Sequence, residues 1–392
     1  MMLQRLPFLL LLLISICPSL GAQSNIDGSF EHDGELRFYR VYLPSTYSPG
    51  ASLPLIINMH GFGSTSLEQL VYSNFNALAE DEGVIIVYPQ GLVGTTTWGD
   101  TGASWDAYFG TGVDDLGFLD RLIDRLYIEY QVDLSRVYAT GMSNGGFMSY
   151  RLACELDHRI AAIASVTGAM AFEQINNCTP DRPVPVLQIH GTDDLVVPYN
   201  GIALFTPNIP TVVEFWRDYN NCETTPETTP LPNTSTFDNT TSTAIKYSCA
   251  EATDVWFYVV QNGGHSWPGA FPIAALGNTS QDFSATELIW EFFSQYQHPN
   301  PDPVVTSTEE LRPTNELLDI FPNPFREGFQ LRLKSNEVEH LILRDVVGRV
   351  VLERAINGRD EQFFDTSRLL TGLYLLEVQS ANKRFTIKLI KN

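Results

Sequence analysis

A serine, an aspartate and a histidine stand in that order along this sequence, each just after a short apolar stretch that predicts a strand. Ser143 is the centre of a Gly-Met-Ser-Asn-Gly motif, aspartates occupy positions 193 and 194, and His265 follows two glycines. A serine hydroxyl becomes a nucleophile when a histidine takes its proton and a carboxylate orients that histidine. The residue types and their order therefore predict acyl-transfer chemistry, with Ser143 as nucleophile and His265 as base.

The flanks of Ser143 predict the backbone turn that such a nucleophile needs. Residues 136–140 are typical of a buried strand, and residues 146–154 have helical spacing with no helix breaker. Side chains two residues before and after a serine on a tight strand-to-helix turn would collide, so Gly141 and Gly145 fit this geometry. The turn also puts the Ser143 hydroxyl at a helix N-terminus, where developing negative charge is stabilised.

A second glycine-containing segment supplies candidate donors for the oxyanion of acyl transfer. Residues 55–63 (Leu-Ile-Ile-Asn-Met-His-Gly-Phe-Gly) predict a strand that ends in a flexible loop. We expect the backbone N–H groups of Phe62 and Asn144 to be the two donors. His60 and His190 each precede a glycine at a strand end and are interpreted as loop-organising residues. No metal-ligand spacing of histidines or cysteines occurs, so no metal is predicted.

The elements that must carry these residues alternate between strand and helix. Apolar runs at 53–60, 84–89, 136–140, 161–166, 184–190 and 255–260 predict strands. Residues 115–130 predict a helix with an apolar face behind acidic capping residues. This alternation is typical of an α/β fold, a mostly parallel sheet flanked by helices. Residues 23–298 are long enough for one such domain.

The pattern changes after residue 298. Residues 299–314 contain many prolines together with threonine and glutamate, which favours an extended linker. In residues 315–392 apolar positions alternate with polar ones, as at Leu331 and Leu333 and at Leu341 and Leu343. We therefore predict that residues 315–392 form a small antiparallel β-sandwich.

The N-terminus indicates export. Residues 1–22 combine Arg5, an apolar run from Leu6 to Ile16 and small residues near position 22, which is the pattern of a cleaved signal peptide. A lipoprotein site at Cys17 is disfavoured, because Ile16 is the wrong size for the residue before a lipid-modified cysteine.

Four cysteines follow the signal: Cys154, Cys178, Cys222 and Cys249. An even number in an exported chain predicts two disulfides, for which three pairings exist; free buried thiols are the alternative. We favour Cys154–Cys178 and Cys222–Cys249 because each closes a local loop, the second around a stretch rich in threonine and proline.

The net charge of −22 is concentrated in the body of the chain. Residues 320–392 carry 12 Lys and Arg against 9 Asp and Glu, and the preceding residues carry 12 against 37. An acidic exported body does not suit nucleic acid or an anionic membrane surface, and no apolar run after the signal is long enough to span a membrane. The charge suits a neutral substrate.

Together these motifs resemble family 1 of the carbohydrate esterases, which includes feruloyl and acetyl-xylan esterases and polyhydroxybutyrate-depolymerase-like proteins. The resemblance covers about residues 28–297 and rests on segments 113–118, 136–138, 141–146, 152–154, 190–194 and 264–269. It implies that Asp194 is the acid of the triad and that Asp193 is only its neighbour. It also implies the disulfides Cys154–Cys178 and Cys222–Cys249.

The tail resembles a second family. Segments 321–325 (Phe-Pro-Asn-Pro-Phe), 345–350, 370–374 and 388–391 are similar to the C-terminal sorting domain of the type IX secretion system. This resemblance implies that type IX machinery exports the protein to the cell surface or the medium. A carbohydrate-binding β-sandwich is the alternative, but all six tryptophans lie before residue 291.

The sequence thus predicts a secreted α/β-hydrolase that cleaves carboxylic esters on plant polysaccharide through an acyl-enzyme, without a cofactor. Trp105, Trp267 and His60 are the candidate substrate-binding residues, since the indoles could pack on an aromatic acyl group or a sugar ring. A packed core position is the equal alternative for either tryptophan. A polyester depolymerase would share the triad and have a flatter, more apolar cleft. A non-catalytic surface carbohydrate-binding protein would lack a triad member, and none is missing.

Overall fold

The structure, a computed structural model, describes residues 24–97, 99–250 and 253–303 and seven segments of the tail. These segments are 318–321, 325–333, 338–345, 349–356, 362–370, 372–380 and 384–391. The predicted signal peptide and residues 304–314 of the predicted linker lie outside the described residues.

One ten-stranded sheet forms the body of the chain. Its centre is parallel, in the spatial order β4 (Ile85–Pro89), β3 (Leu55–Met59), β7 (Val137–Met142), β8 (Ala162–Val166), β9 (Val186–Gly191) and β12 (Val255–Gln261). Antiparallel strands extend both edges: β1 (Ser24–His32) and β2 (Glu35–Leu43) on one side, β11 (Thr241–Tyr247) and β10 (Glu227–Pro230) on the other. The predicted α/β class is confirmed, and each predicted strand is present at its apolar run.

Helices cover both faces of this sheet. One core cluster contains the inward sides of α3 (Asp115–Tyr130), α4 (Asn144–Glu155) and α6 (Ile209–Tyr219). The other contains side chains of α1 (Ser66–Ser73), α2 (Phe75–Glu82) and α7 (Ala285–Phe293). The short helix α5 (Phe172–Asn177) and a hairpin of β5 (Leu92–Thr95) and β6 (Thr101–Ser104) complete the body. Every helix within the described ranges falls short of the length and apolarity that a membrane span requires.

Helix α3 begins at the predicted residue, but its two acidic residues have different roles. Asp114 caps the helix by accepting the N–H of Gly117 at 2.9 Å. Asp115, which the sequence also predicts as a cap, is fully buried and accepts a 2.5 Å hydrogen bond from Arg37 Nη2. Its other oxygen accepts the N–H of Asp106 at 2.7 Å, so the ion pair ties β2 and α3 to the loop after β6.

Two disulfides link cysteines in the body, in the sequential pairing predicted above. Cys154–Cys178 joins the last turn of α4 to the end of α5, and Cys222–Cys249 closes the segment that contains β10 and β11.

The last residue of the predicted body and the start of the predicted linker are both bonded to earlier parts of the body. The N–H of His298 donates to the carbonyl of Ser135 at 2.7 Å, and the N–H of Asp302 donates to the carbonyl of His158 at 3.0 Å. His298 itself is buried. The ordered body therefore continues at least to residue 302, a few residues beyond the boundary expected from the proline pattern.

The described part of the tail contains two antiparallel sheets. One has the order β13 (Leu318–Phe321), β14 (Gly328–Leu333) and β17 (Gln362–Asp365), and the other β16 (Val350–Ala355), β15 (Val338–Asp345), β18 (Gly372–Ser380) and β19 (Arg384–Lys391). A single core joins them, with Phe329 and Leu331 from the first sheet and Leu341 and Leu376 from the second. The alternating apolar residues thus form the inner faces of a sandwich.

Candidate active site

The candidate residues lie at one edge of the central sheet. Ser143, Asp194 and His265 follow strands β7, β9 and β12, which are parallel and separated only by β8. The carboxyl ends of parallel strands are the usual place for ligand sites in open α/β sheets. The topology therefore directs all three residues to the same side of the molecule.

Ser143 has the strained backbone of a strand-to-helix turn, with φ 55° and ψ −119°. A side chain at Gly141 would put a Cβ 2.6 Å from the carbonyl oxygen of Met59, and one at Gly145 would put it 2.3 Å from the same atom. Any other residue at these two positions would push the turn away from strand β3. The glycines thus allow Ser143 to lie close against the neighbouring strand.

The Ser143 hydroxyl is free for chemistry. Its side chain does not cap helix α4, although the residue occupies the N-cap position, and its backbone N–H donates to the carbonyl of Val166 at 2.9 Å. The side chain is half-buried. Helix α4 begins at the next residue, so its unpaired first amides and its dipole face the space around Ser143 Oγ.

His265 is held by Asp194. His265 Nδ1 lies 2.8 Å from Asp194 Oδ2, and both side chains are buried. The other carboxylate oxygen, Oδ1, accepts the N–H groups of Val196 and Val197, each at 2.8 Å. Because a carboxylate oxygen accepts hydrogen bonds, His265 donates through Nδ1 and keeps Nε2 as a proton acceptor.

Asp193 differs from its neighbour in every relevant respect. It is exposed, its N–H donates to the carbonyl of Gly263 at 2.9 Å, and its carboxylate accepts from the hydroxyl of Thr192 at 3.3 Å. Of the two adjacent aspartates, only Asp194 reaches His265. Neither Ser143 Oγ nor His265 Nε2 has a hydrogen-bond partner among the described residues; such bonds often form only when substrate closes the site.

His190 packs against the loop that carries Asp194. It is fully buried, its Nε2 lies 2.8 Å from the carbonyl of Val197, and its Nδ1 lies 3.0 Å from the amide nitrogen of Gln188. Burial lowers the pKa of His190 to about 4. The imidazole is therefore neutral at pH 7 and fixes the loop that carries Asp194, as expected for a loop-organising residue.

Two backbone amides are available for an oxyanion. A Cβ added at Gly61 would lie 3.4 Å from Ser143 Cβ, so the loop of residues 60–63 packs directly beside the serine. In that loop the N–H of Gly63 donates to Ala103, whereas the N–H of Phe62 has no acceptor in the described part of the chain. The same holds for the N–H of Asn144 in the first turn of α4.

A buried network fixes both candidate donors. The side-chain amide of Asn144 accepts the N–H of Trp105 at 2.7 Å and donates to the Trp105 carbonyl at 3.0 Å. The indole of Trp105 donates to the carbonyl of His60 at 2.9 Å. His60 Nε2 accepts the N–H of Gly91 at 3.0 Å, and its Nδ1 lies 2.7 Å from the carbonyl of Gly61. We call these residues the His60–Trp105–Asn144 network.

The predicted substrate-binding role of Trp105, Trp267 and His60 is not supported, because all three side chains are buried. Trp105 and His60 have no exposed surface and Trp267 has 1%. The indole of Trp267 donates to Thr286 at 3.0 Å and packs edge-on against Phe75. These side chains are core and scaffold, and a substrate cannot reach them in this conformation.

The sequence missed several supporting residues. Gln90 donates to His60 Nε2 at 3.1 Å, and Tyr150 donates to Gln188 at 2.6 Å behind His190. Thr167, just after β8, is buried with φ 51°, a conformation that a β-branched residue rarely adopts. No local motif marks these positions, because each acts through contacts with residues far away in the chain.

No group of three or more histidine, cysteine, aspartate or glutamate side chains in the described ranges is arranged to hold a metal ion. The reactive groups of the triad and the oxyanion site are a hydroxyl, an imidazole, a carboxylate and two backbone amides.

Two family models match this chain. Residues 112–226 match the phospholipase/carboxylesterase family, and residues 319–392 match the secretion system C-terminal sorting domain. The first match contains Ser143 and Asp194, and the second coincides with the predicted tail. The sorting domain confirms the predicted extracellular or cell-surface location.

The body is similar to known esterases. A bifunctional acetylxylan esterase/xylanase of Neocallimastix patriciarum is 30% identical over 270 residues, which make up 68% of this chain and 34% of that protein. The chain thus spans about a third of that relative's length. Feruloyl esterase D of Neurospora crassa is 27% identical over 319 residues, 74% of this chain and 98% of that protein.

Among solved structures, an acetyl xylan esterase from Aspergillus awamori is similar to this chain at 15% identity. The alignment covers 66% of this chain and 94% of the other, with a TM-score of 0.42. By its sequence matches, the body of the chain is similar to feruloyl and acetylxylan esterases, and residues 319–392 match a secretion system C-terminal sorting domain.

Proposed function

We propose that this protein is a secreted serine esterase that removes feruloyl or acetyl groups from plant polysaccharide. The observation that carries the proposal is the 2.8 Å bond between Asp194 and His265, at the same sheet edge as a serine with φ 55° between two obligatory glycines. A base oriented by a carboxylate next to an elbow serine is the arrangement that activates a hydroxyl for acyl transfer.

In the proposed mechanism, Ser143 Oγ attacks the ester carbonyl carbon while His265 Nε2 takes the hydroxyl proton. The Asp194 carboxylate stabilises the resulting imidazolium, and the amides of Phe62 and Asn144 bind the tetrahedral oxyanion. Collapse expels the alcohol, which receives the proton from His265. Water then attacks the acyl-enzyme by the same steps in reverse and releases the acid.

The substrate class is inferred from the relatives and from charge. One relative is named as a bifunctional acetylxylan esterase/xylanase, and two others are named as feruloyl esterases. The acidic body repels polyanionic polymers, so esters on neutral arabinoxylan suit it better than esters on a uronic-acid backbone. We therefore propose neutral xylan-type polymers as the alcohol component.

A polyester depolymerase is the second candidate, and one observation favours it. Leu195 and Val196, directly after Asp194, are 92% and 52% exposed. Exposed apolar side chains beside the acid could contact a solid apolar polymer.

The test is to assay the purified protein on methyl ferulate, acetylated xylan and polyhydroxybutyrate side by side. We expect hydrolysis of at least one of the first two and none by Ser143→Ala, whose melting temperature should equal that of the parent. Release of hydroxybutyrate alone would favour the polyester reading. Equal hydrolysis by Ser143→Ala would remove the serine from the mechanism.

A further inference from the structure

A cavity of about 420 Å³ lies beside helix α4, apart from the reactive groups. We call it the Arg151 pocket; its walls include Asp106, Tyr108, Arg151, Glu173, Leu204 and Phe205. Its volume is within the range of pockets that hold small ligands. Neither the proposed triad nor the oxyanion donors line it.

The pocket is built by segments that leave the same edge of the sheet as the candidate triad. Arg151 lies on α4, which follows β7; Glu173 lies at the start of α5, which follows β8; and Leu204 follows β9. Arg151 is eight residues after Ser143 on one helix, which corresponds to about 12 Å along the helix axis. A ligand in the pocket would thus not occupy the position of the reacting ester. The same polymer chain could still supply both the ester at Ser143 and a second unit in the pocket.

Two polar side chains of the pocket can bind a ligand, Glu173 as an acceptor and Arg151 as a donor. Glu173 is exposed and makes no hydrogen bond or ion pair through its carboxylate within the described residues, so both oxygens can accept. The Arg151 guanidinium is held by Glu155 at 3.0 Å and by the carbonyl of Asp106, and it lies over the ring of Tyr108. Its remaining N–H groups are donors in a fixed orientation.

Asp106, by contrast, holds one loop of the pocket in place. Its two carboxylate oxygens accept the N–H groups of Gly110 and Gly112, each at 3.0 Å. These bonds fold the loop that carries Tyr108 into one wall of the cavity.

Another part of the rim is apolar. Leu204 is 99% exposed and has φ 64°, at the tip of a turn that Ile202 and Thr206 close with backbone bonds of 3.0 and 2.9 Å. Phe205 beside it packs against Phe109 and Phe147. A leucine kept in a strained, fully exposed position next to a cavity provides a contact surface for a ligand.

The charges around the pocket restrict the kind of occupant. Arg151 is paired with Glu155, so the carboxylates of Asp106 and Glu173 leave the lining net negative and would repel a free anion. A neutral molecule with several hydroxyls can donate to the carboxylate, accept from the guanidinium and lay its C–H groups on Leu204. We propose that the Arg151 pocket binds a sugar unit of the esterified polysaccharide; this proposal rests on the proposed function.

The test compares an ester on an oligosaccharide with a small ester. In the full chain, Glu173→Ala should lower kcat/KM for feruloylated arabinoxylo-oligosaccharide about three- to tenfold, the usual effect of losing one ligand hydrogen bond. The loss should appear in KM. Turnover of methyl ferulate, which has no sugar, should not change. Glu227→Ala on the exposed strand β10 is the matched control and should leave both substrates unaffected.

A binding measurement separates this proposal from the esterase proposal. Titration of unesterified xylo-oligosaccharide into the Ser143→Ala protein should show a Kd that the added Glu173→Ala change raises by the same factor. This readout remains valid if the parent protein hydrolyses neither ester. An unchanged Kd, or an equal loss on methyl ferulate and on the oligosaccharide ester, would overturn the sugar assignment.

Discussion

At the scale of single residues, burial distinguishes two adjacent aspartates that composition cannot tell apart. Asp194 is 3% exposed, and its four contacts to Val196, Val197, His265 and His190 occupy both oxygens. Asp193 points into solvent. The geometry therefore supports the assignment of the acid that the family resemblance implies.

Asp194→Asn should lower kcat by about 10⁴-fold, because an amide cannot stabilise the imidazolium and promotes the wrong tautomer of His265. Asp193→Asn should change kcat less than about threefold, since within the described ranges its exposed carboxylate accepts a hydrogen bond from Thr192 alone. Steady-state kinetics on methyl ferulate measures both. Similar losses in the two variants would refute the assignment of Asp194 as the acid.

Asn144 contributes its side chain as well as its backbone. Asn144→Ala keeps the oxyanion N–H but leaves the buried N–H of Trp105 without its acceptor, whereas the Trp105 carbonyl still accepts the N–H of Ala107 at 2.9 Å. We expect a loss of about 2 kcal/mol in unfolding free energy and a fall in kcat of roughly tenfold with little change in KM.

Denaturant unfolding and kinetics on one ester test this prediction. Asn177→Ala, on the exposed side of α5, is the control and should affect neither quantity. A stability loss with unchanged kcat would mean that the His60–Trp105–Asn144 network supports the fold but not the oxyanion site.

At the scale of elements, two strands end in buried neutral histidines. His60 directly follows β3, and His190 is the last residue but one of β9. Neither side chain has exposed surface. Burial lowers the pKa of each to about 4 from an ordinary value of 6.5. Each ring also accepts a hydrogen bond from Gly91 or Gln188, which only an unprotonated nitrogen can do.

Acid should therefore destabilise the body before it titrates most carboxylates. The folded protein holds both imidazoles neutral, whereas the unfolded chain protonates them below pH 6.5. Their contribution to folding stability is therefore complete above pH 6.5 and is lost as the pH falls towards 4. At pH 5 we expect each histidine to cost roughly 2 kcal/mol of unfolding free energy.

Urea unfolding at pH 7 and pH 5 measures this loss. His190→Gln should be less stable at pH 7 but should show a smaller change between the two pH values. His158→Gln, at a partly exposed position, should keep the full change. Equal unfolding free energies of the parent at both pH values would contradict the assignment of neutral histidines.

At the scale of the whole molecule, two parts have separate cores and different charge. The body carries the acidic excess, whereas the tail is weakly basic and forms its own apolar core. Separate cores of this kind usually fold independently. The predicted domain division can be tested on that basis.

A chain ending at Pro303 should fold and hydrolyse esters like the full protein, since it keeps the bonds of His298 and Asp302 to the body. In the native host it should accumulate in the periplasm, because the sorting domain is missing. Fractionation and an activity assay test both points. Normal secretion with weaker retention on polysaccharide would identify the tail as a binding module instead.

Much of this architecture was determined by local sequence. Strands appear where apolar runs lie, α3 spans the predicted residues 115–130, and the glycines around Ser143 predict its turn. These features depend on residues a few positions apart, so the pattern along the chain contains the necessary information. That Ser143, Asp194 and His265 lie near each other likewise followed from the rule that the carboxyl ends of parallel strands meet at one edge of a sheet.

Tertiary structure decided which polar and aromatic side chains are buried. Trp105 and Trp267 follow polar, glycine-containing segments that suit a cleft wall as well as a core, and contacts to His60, Asn144 and Thr286 put both indoles inside. Asp115 pairs with Arg37, which is far away along the chain. The sequence alone therefore suggested no role for Asp115 other than capping helix α3. Burial depends on what the fold brings against a side chain, and that information is distributed over residues that no local pattern connects.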